Sequence, residues 1–333
     1  MLRKRNRRIV IAALVLFLVS QPLIFAHIPL DTVGGVKAVT VKKGTGLIDV
    51  ARLLKQDGLV RSSTLFTAYS LLAHRGRVMA GEYELPQTLS IADIAGKMAS
   101  GQRKVYTLRI VEGYNLQAVG DALEKAGILA SGSFFSLAKD EMFLSQAGIP
   151  SDTLEGYLAP DTYYYSKEVE PDALLEKIVR RTISFFEKEE IRTRMAALNM
   201  RPHEILTLAS MIEKEAKMEE EKALISAVFY NRLRYGMSLD CDPTVMYGLG
   251  MVPRPLTKAD LAAPTAYNTY RLKGLPKGPI CIPSRSSLMA ALYPAASDVL
   301  YFVSRNDGSH VFTRRIEEHN HFVTMYQRKT KKP

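Results

Sequence analysis

The sequence predicts an α+β protein with an N-terminal transmembrane helix, two small β-α-α-β modules in tandem and a mainly helical domain that carries a β-hairpin. Three observations lead to this fold class. A basic stretch precedes a long apolar segment, one sequence pattern occurs twice, and the second half has helical periodicity followed by a hairpin turn. With 333 residues, 47% of them hydrophobic, the chain is long enough for two or three domains with separate cores.

The first element is a candidate membrane anchor. Five basic residues within positions 3–8 precede Ile9–Ala26, a stretch of 18 residues in which only Ser20 and Gln21 are polar. At about 1.5 Å per residue, a helix of this length spans roughly 27 Å, enough for the hydrocarbon core. The positive flank predicts that the N terminus stays in the cytoplasm and that the rest of the chain lies outside. A cleaved signal peptide is the alternative, although the residues before Ala26 match a cleavage site poorly.

The net charge of +11 does not indicate a nucleic-acid partner. Nine of the 45 basic residues lie at the two ends, within 3–8 and 328–332. Residues 9–327 therefore hold 36 basic and 34 acidic side chains. A nearly neutral body offers no basic stripe for phosphates, so we expect no nucleic-acid partner.

Residues 39–66 resemble residues 108–135. The positions of the first copy that recur in the second are Gly44, Leu47, Val50, Leu54, Gly58, Ser62 and Phe66. Each copy begins with a β-like run and continues into an amphipathic helix that ends just before Gly58 or Gly127. With a second helix and a returning strand, the repeated unit is β-α-α-β. Modules of this kind bind elongated ligands or serve as spacers, and the sequence leaves both open.

From about residue 172 the pattern becomes helical. The expected helical runs are 172–199, 202–218 and 219–235. Residues 237–285 are rich in Gly, Pro and Tyr, and we expect them to form ordered loops that line a cleft. Two β-like runs, 301–303 and 311–313, flank Asn306-Asp307-Gly308, which is a strong hairpin signal. A last helix carries Glu317 and the three residues after it.

Glu213 is the candidate general acid. It lies on the predicted helix that begins at Pro202, on one stripe with Leu206 and Ala209. Because burial disfavours the charged form, a carboxyl in an apolar stripe is expected to have a raised pKa. A general acid at neutral pH needs such a group. A structural ion pair with an arginine is the alternative, and Glu215, two residues on, is expected to be solvated.

Cysteine and histidine usage predicts neither a metal site nor a cofactor. Cys241 and Cys281 lack metal-ligand spacing, and the sequence leaves open whether they form a disulfide. His310, His319 and His321 include no i, i+4 pair, and the last two point to different faces of a helix. We therefore expect no metal and no cofactor.

Five motifs follow one another across nearly the whole chain. They are LEGYLAPDTY at 154–163, ASMIEKE at 209–215, VFYNRL with GM and DPTV at 228–245, AYNTY with GLP and GPI at 266–280, and the hairpin and helix at 301–320. Together these motifs resemble the endolytic transglycosylases of the YceG-like family, membrane-anchored enzymes that cut peptidoglycan glycan strands. Each motif alone is a modest signal, but five in this order are a strong one.

The sequence also departs from the family pattern. Asp240 stands where the family usually has Gln, and Lys277 where a second Pro is usual. Cys281 and Ile282 interrupt the Asn and Pro expected after Gly-Pro-Ile. Because the Gln position is the one expected to touch sugar, Asp240 affects the expected substrate contacts rather than the reaction class.

The resemblance implies a lyase that cleaves the MurNAc–GlcNAc bond of nascent peptidoglycan. Glu213, the first glutamate of the IEKE motif, would protonate the bridging oxygen and then, as a carboxylate, take a proton from the C6 hydroxyl. That hydroxyl closes on C1 to give a 1,6-anhydro sugar. The resemblance further implies that the enzyme terminates glycan strands on the periplasmic side of the cytoplasmic membrane, beside peptidoglycan synthases.

Three further residues are candidates for substrate contact through rings and amides. Tyr267 is expected to pack on a pyranose ring, and Asn268 is expected to bind the substituents of the sugar. Asn231 orients Glu213 or a substrate acetamide, or it holds a loop.

The remaining candidates are carboxylates. Asp242 precedes Pro243 and a short helical run, so we expect it to be an N-cap, with sugar contact as the alternative. Glu155 begins a glycine-containing loop, and its role is open; Asp240 is a candidate through its place in the motif. A hydrolase that uses Asp242 or Glu155 as a second carboxylate is an alternative function, as is a scaffold that binds peptidoglycan without catalysis.

The expected domain organisation follows from the repeat, the onset of helices and the motifs. It comprises a cytoplasmic basic stub with the transmembrane anchor (1–30), a LysM-like module (36–104), a second related β-α module leading into the cleft (105–170), a YceG-like catalytic domain (171–328) and a basic tail (329–333).

Overall fold

The computed structural model describes residues 24–251 and 254–328. Within these ranges, helices alternate with small two-stranded sheets, which confirms the α+β class. None of the helices in these ranges is long and apolar enough to cross a lipid bilayer. The expected anchor falls mostly on residues 1–23 and the basic tail on residues 329–333, outside the described residues.

The chain forms two compact units. Of the described residues, the first unit consists of those up to Thr107 together with Tyr164–Glu170, and the second of Leu108–Tyr163 together with those from Pro171 onward. The first unit is therefore discontinuous in sequence. The five-segment organisation expected from the sequence stays a prediction.

The first unit contains a small sheet covered by helices. Its elements are β1 (Val36–Val41), α1 (Leu47–Gln56), α2 (Ser63–His74), β2 (Gly81–Pro86) and α3 (Ile91–Ser100). β1 and β2 pair in antiparallel fashion, with Val36 opposite Pro86 and Val41 opposite Gly81. The core between sheet and helices includes Val39, Leu54, Phe66, Tyr83 and Ile94. The first four elements have the β-α-α-β order expected from the sequence, and the relation to LysM modules stays a prediction.

The glycine turns that repeat in the sequence also repeat in the structure. After α1, Gly58 has a φ of 65°, and the amide of Leu59 donates to the carbonyl of Leu54 at 2.9 Å. After α4 (Leu116–Lys125) in the second unit, Gly127 has a φ of 67°, and an equivalent hydrogen bond of 3.0 Å closes the helix. Glycine adopts this left-handed conformation without strain, so the repeated pattern preserves a helix stop.

The second copy of the repeat contains one helix more than expected. The chain runs from β3 (Tyr106–Ile110) through α4, α5 (Ser133–Leu137) and α6 (Glu141–Gln146) to β4 (Asp161–Tyr165), and β3 pairs with β4. The expectation of a β-α-α-β order for this copy is therefore wrong. α6 forms because Asp140 accepts a hydrogen bond from the Phe143 amide at 2.7 Å as N-cap, and because Leu144 is buried.

The helical part of the second unit begins after β4. Its elements are α7 (Pro171–Glu187), α8 (Glu189–Leu198), α9 (Pro202–Glu215), a 3-10 turn (Glu219–Glu221) and α10 (Lys222–Arg234). The run expected over 172–199 is divided at Lys188, the extended residue before α8. α9 begins at Pro202 as expected, but all residues from Ile205 to Ile212 are buried. It is thus a core helix covered on all sides, not an amphipathic helix with one apolar stripe.

The last elements surround the end of α9. They are α11 (Asp242–Gly248), α12 (Lys258–Ala262), α13 (Arg285–Leu292), β5 (Tyr301–Ser304), β6 (His310–Thr313), α14 (Ile316–Val323) and a π-helical turn (Thr324–Arg328). α13 packs against both α9 and α10. β5 and β6 form the expected antiparallel hairpin, with Tyr301 opposite Thr313, and α14 is the expected last helix.

Candidate active site

The last turn of α9 presents two carboxylates to different surroundings. Glu213 and Glu215 are two residues apart, so their side chains leave the helix about 200° apart around its axis. Glu213 contacts the start of α13, whereas Glu215 contacts Cys241, the residue before α11. The two glutamates therefore have to be considered separately.

The carboxylate of Glu213 is held by the start of α13. Its Oε2 accepts hydrogen bonds from the Ser284 amide at 2.9 Å, the Ser284 hydroxyl at 2.5 Å and the Ser287 hydroxyl at 2.6 Å. Nζ of Lys222 lies 3.7 Å from the same oxygen. Because Ser284 is also the N-cap of α13, Glu213 links the end of one helix to the beginning of another.

The expectation that Glu213 has a raised pKa is wrong. Burial raises the pKa and is the largest single effect, but the hydrogen bonds from Ser284 and Ser287 and the charge of Lys222 together outweigh it, so the pKa is lowered. The side chain is only 14% exposed, and the charged partner is Lys222 rather than an arginine. Glu213 is ionised at neutral pH, which is the wrong state for a general acid. Its catalytic role stays a prediction.

Glu215 has the property that was expected of Glu213. Burial of its carboxyl raises the pKa to about 7; a hydrogen bond from the Cys241 thiol opposes this rise, and the charge of Asp242 adds to it. The expectation of a solvated Glu215 is therefore wrong. The physical reason is that the chain before α11 packs against the end of α9, a contact that helical periodicity does not reveal.

Glu215 lines a cavity of about 480 Å³, which we call the hairpin cleft. The residues that line it are Glu215, Arg232, Leu239, Asp240, Asp242, Tyr270, Phe302, Val303, Ser304, His310, His319 and Gln327. They come from α9, α10, the segment before α11, the start of α11, the loop after α12, the hairpin, α14 and the π-helical turn. The cavity lies in the size range of ligand sites and brings three carboxyl groups together. It can therefore place a proton donor beside negative charge.

Asp242 faces the hairpin cleft and is not the N-cap that the sequence predicts. Cys241 occupies the N-cap position, and Asp242 is the first residue of α11. Oδ1 of Asp242 accepts a hydrogen bond of 2.5 Å from the Tyr270 hydroxyl. The side chain is thus bonded across the cleft wall instead of to its own helix.

Asp240 also lines the hairpin cleft. Its carboxylate accepts hydrogen bonds from the Arg232 guanidinium at 2.8 Å and from the Ser238 hydroxyl at 2.7 Å. Its backbone is left-handed, with a φ of 49°, a conformation that Asp tolerates better than most residues. The departure from the family's Gln thus supplies an ion pair with Arg232, and sugar contact by Asp240 stays a prediction.

Asn231 and Asn268 are engaged by backbone groups of the protein. Nδ2 of Asn231 donates to two carbonyls in the segment 297–299, both at 2.9 Å. Nδ2 of Asn268 donates to two carbonyls in the segment 261–263, at 3.0 and 2.8 Å, and Asn268 is fully buried. Both amides hold loops, which for Asn231 is one of the expected alternatives. Neither residue is among those that line the hairpin cleft.

Glu155 and Tyr267 form a separate cluster with Tyr247. Oε2 of Glu155 accepts hydrogen bonds from the Leu116 amide at 3.1 Å and the Tyr247 hydroxyl at 2.8 Å. Burial raises the pKa of Glu155 to about 7 against these hydrogen bonds, and Oε1 is buried with no partner among the described residues. Tyr267 packs edge-on against Tyr247 with ring centroids 4.8 Å apart. The sequence candidates are thus divided between this cluster and the hairpin cleft.

The two cysteines are free, buried thiols. The Sγ of Cys281 donates to the Ser210 carbonyl at 3.4 Å, and burial raises the pKa of both thiols. In the part of the chain that the structure describes, no group of three or more His, Cys, Asp or Glu side chains is placed to hold a metal ion.

A second cavity, of about 450 Å³, lies against α7 and α13. Glu112 is the only carboxyl residue in its lining. The basic residues that line this cavity are Arg180, Arg181, Lys188 and Arg285. The hairpin cleft, with three carboxyl groups, is therefore the better candidate for acid catalysis.

Residues 39–325 match the YceG-like family. The chain belongs to this family. The endolytic murein transglycosylase of Bacillus subtilis is 31% identical over 299 residues, which cover 85% of this chain and 82% of that protein. The endolytic murein transglycosylase of Streptococcus pneumoniae is 28% identical over 342 residues. The match covers 91% of this chain and 61% of the streptococcal protein.

A crystal structure of a yceG-like protein from Listeria monocytogenes is similar to this YceG-like protein, with a TM-score of 0.60 and 31% sequence identity. The similarity covers 87% of this chain and 100% of that one. The family indicated by the five motifs is thus confirmed.

Sequence reasoning missed the position of Glu215 in this YceG-like protein. One signal was present: Met211 lies four residues before Glu215, on the same side of α9, and is fully buried. A large apolar residue one turn away indicates that this side of the helix is covered. The chain that covers it comes from more than twenty positions further on, and the sequence does not reveal that contact.

The buried carboxyl of Glu155 makes the stability of the fold depend on pH. Its pKa is raised from 4.5 to about 7, so the folded state binds its proton more tightly and loses stability as the pH rises from about 5 to 8. Relative to the wild type, Glu155→Gln is expected to gain stability over this range, by up to about 3 kcal/mol. Urea unfolding of both proteins at several pH values measures the difference. A pH-independent difference would contradict the raised pKa.

Proposed function

We propose that this YceG-like protein is an endolytic lytic transglycosylase that cleaves the glycan strands of peptidoglycan. Membership of the family and the names of the Bacillus and Streptococcus relatives support this activity. The observation that carries the proposal is Glu215, a carboxyl with a pKa of about 7 in the hairpin cleft. Such a group keeps its proton to higher pH than an ordinary glutamate, so the same residue can donate a proton and then accept one.

Glu215 is the better candidate for the acid than Glu213, although the resemblance assigns the role to Glu213. Glu213 is ionised, and its Oε2 is occupied by three hydrogen bonds from α13. Glu215 lines an open cavity and keeps its proton to higher pH. We therefore assign the proton donor to Glu215 and a structural role to Glu213.

In the proposed reaction, Glu215 protonates the oxygen that bridges MurNAc and GlcNAc, and the bond from C1 to that oxygen breaks. The oxocarbenium-like centre at C1 is stabilised by the negative charge of Asp242. The C6 hydroxyl of the same sugar attacks C1 and its proton passes to the Glu215 carboxylate, which gives the 1,6-anhydro product without water and restores the acid. The intramolecular attack gains from proximity.

Hydrolysis of the same bond is the second candidate function. Asp242 supports it, because this carboxylate faces the same cleft as Glu215 and could activate a water molecule. Glu155 is a poorer second carboxylate, because it is buried in the cluster with Tyr247.

The cellular part of the proposal rests on the sequence pattern. The basic residues at 3–8 and the apolar stretch Ile9–Ala26 support a single-pass anchor with the enzyme on the outer side of the cytoplasmic membrane. We propose that the protein acts there on nascent strands beside peptidoglycan synthases and terminates their elongation. The tandem β-α modules at 36–104 and 105–170 would precede the catalytic domain at 171–328.

The products of digested peptidoglycan distinguish the lyase from the hydrolase. Mass spectrometry of the released glycan ends is expected to give 1,6-anhydro ends, which are lighter by one water than reducing ends. Internal cuts in strands of defined length would support endolytic action. Reducing ends as the main product would exclude the lyase and favour hydrolysis with Asp242.

Two matched substitutions on α9 separate the roles of Glu213 and Glu215. Glu215→Gln removes the proton donor and is expected to lower kcat by about 10²–10⁴-fold with little loss of stability. Glu213→Gln weakens three hydrogen bonds to a charged acceptor and is expected to destabilise the fold by about 2 kcal/mol, with a much smaller loss of kcat in the folded fraction. The reverse pattern, measured by product release and thermal unfolding, would return the acid to Glu213.

The charge of Asp242 is expected to set the pH range of activity. Activity needs protonated Glu215 and so falls as the pH rises through about 7. Asp242→Asn removes a negative charge that raises the pKa of Glu215. The pH at which activity falls should therefore decrease by roughly half to one unit. Asp240→Asn is the control, because Asp240 is paired with Arg232. This variant should leave the pH at which activity falls unchanged. An unchanged pH dependence in Asp242→Asn would contradict this effect of its charge on Glu215.

A further inference from the structure

The cavity against α7 and α13, which we call the basic cavity, is a second candidate binding site. Its lining comes from the second unit alone: the turn before α4, the loop before β4, α7, the residue after α7, α9 and the start of α13. The buried part of this lining is largely apolar, since Leu158 and Leu206 are fully buried and Leu288 is 8% exposed. A volume of about 450 Å³ is in the size range of ligand sites.

Two of the four basic residues in this lining have partners within the protein. A guanidinium nitrogen of Arg181 lies 2.6 Å from a carboxylate oxygen of Asp161, and the guanidinium carbon lies 5.7 Å from the centre of the Tyr163 ring. Arg180 lies 3.8 Å from Glu187, and both side chains are exposed, so this ion pair holds Arg180 only weakly. The charge of Arg181 is therefore partly compensated, whereas that of Arg180 is hardly affected.

Lys188 and Arg285 have no partner of this kind. Neither side chain forms a hydrogen bond or an ion pair with another of the described residues, and both are exposed. Arg285 is the first residue of α13, and the first turn of this helix contains no acidic side chain. Because the helix dipole is positive at this end, a cation there is unfavourable for the helix. An anionic ligand in the basic cavity accounts for both side chains.

Glu112 gives the basic cavity a second chemical feature. It is the only carboxyl residue in the lining, it is exposed, and it forms no ion pair with another described residue. The cavity therefore offers several cations and, apart from them, one carboxylate. A ligand with two carboxylates and one ammonium group complements this set of charges. A compact polyanion such as a diphosphate complements it less well, because Glu112 repels it.

We propose that the basic cavity binds the stem peptides of peptidoglycan. This inference rests on the proposed function, because stem peptides belong to the proposed substrate. They are attached to the lactyl group of MurNAc and carry free carboxylates, the ammonium group of a diamino acid and the methyl groups of alanine. Arg285 and Lys188 bind the carboxylates, Glu112 binds the ammonium group, and the apolar part of the lining contacts the methyl groups.

Binding at the basic cavity is separate from the chemistry at the hairpin cleft. Arg285 directly follows Ser284, whose amide and hydroxyl bind Glu213. Glu215 leaves α9 about 200° away from Glu213 around the helix axis. Because stem peptides recur along a glycan strand, the stem of one sugar occupies the basic cavity while another sugar reacts. The contact lowers KM for strands that carry stems and leaves the chemical step unaffected.

Strands with and without stem peptides test the inference. For the wild type, KM is expected to be about 10-fold lower for strands with stems than for strands stripped of them by an amidase. Arg285→Gln and Lys188→Gln should each bring the ratio of the two KM values closer to one, and the double variant should abolish the difference. Lys177→Gln, the same exchange at an exposed position of α7 outside the cavity, is the matched control and should keep the wild-type ratio. Equal KM values in the wild type, or a wild-type ratio in the double variant, would overturn the inference.

Binding of a free stem peptide tests the site without catalysis. The tetrapeptide L-Ala-γ-D-Glu-L-Lys-D-Ala, titrated into the full-length protein and followed by NMR, should bind the wild type about 10-fold more tightly than the Arg285→Gln/Lys188→Gln variant. Acetylation of its lysine ammonium should weaken binding to the wild type but not to Glu112→Gln. Equal binding of the acetylated and free peptides by the wild type would contradict the role of Glu112. Tighter binding of inorganic diphosphate than of the tetrapeptide would assign the cavity to a phosphate ligand and overturn the inference.

The failure of this inference is distinct from failure of the proposed function. If the wild type releases 1,6-anhydro ends and its KM does not depend on stem peptides, the lytic reaction stands and only the peptide site is wrong. If the wild type releases no 1,6-anhydro ends, the proposed function fails, whatever the tetrapeptide titration shows.

Discussion

The hydrogen bonds from α13 to the Glu213 carboxylate are the constraint on which the rest of the site depends. Three donors from Ser284 and Ser287 converge on one oxygen, and Lys222 places a cation beside it. Hydrogen bonds to a charged acceptor are stronger than neutral ones, and leaving them unmade in a buried position is costly. α9 therefore cannot rotate or shift against α13 without losing this network, and the direction in which Glu215 leaves the helix is fixed.

One helix end thus holds two carboxyl groups in opposite electrostatic conditions. Strong donors and a cation surround Glu213, so its charged form is favoured. Burial of the Glu215 carboxyl and a neighbouring negative charge outweigh a hydrogen bond from a weak thiol donor, so its neutral form is favoured. Enzymes separate the roles of paired carboxyl groups by such differences of environment. In this YceG-like protein, one carboxyl secures the packing of helices and the other remains available for proton transfer.

Much of the fold followed from local patterns in the sequence. The glycine stops after α1 and α4, the start of α9 at Pro202 and the hairpin around Asn306–Gly308 depend on short-range backbone preferences, and the structure has them all. The properties of the site depend on contacts between distant segments. Ser284 reaches α9 from far along the chain, and its hydrogen bonds help to lower the pKa of Glu213, which helix spacing predicts to be raised. The segment that contains Cys241 also comes from far along the chain, and Glu215, which the sequence predicts to be solvated, has a pKa raised by burial beside it. Asp242 was misjudged for the same reason, because its partner Tyr270 lies beyond its own helix.

The thiol of Cys241 has a consequence for observing the enzyme at work. Its S–H group donates to the carboxyl of Glu215, and the stretching vibration of a thiol falls in an infrared window that other protein groups leave empty. A proton gained or lost by Glu215 changes the strength of the acceptor and so moves this band. The other thiol in the chain, Cys281, donates to a backbone carbonyl that does not titrate, and it provides an internal reference. The protein therefore carries an unlabelled spectroscopic reporter next to its proposed proton donor.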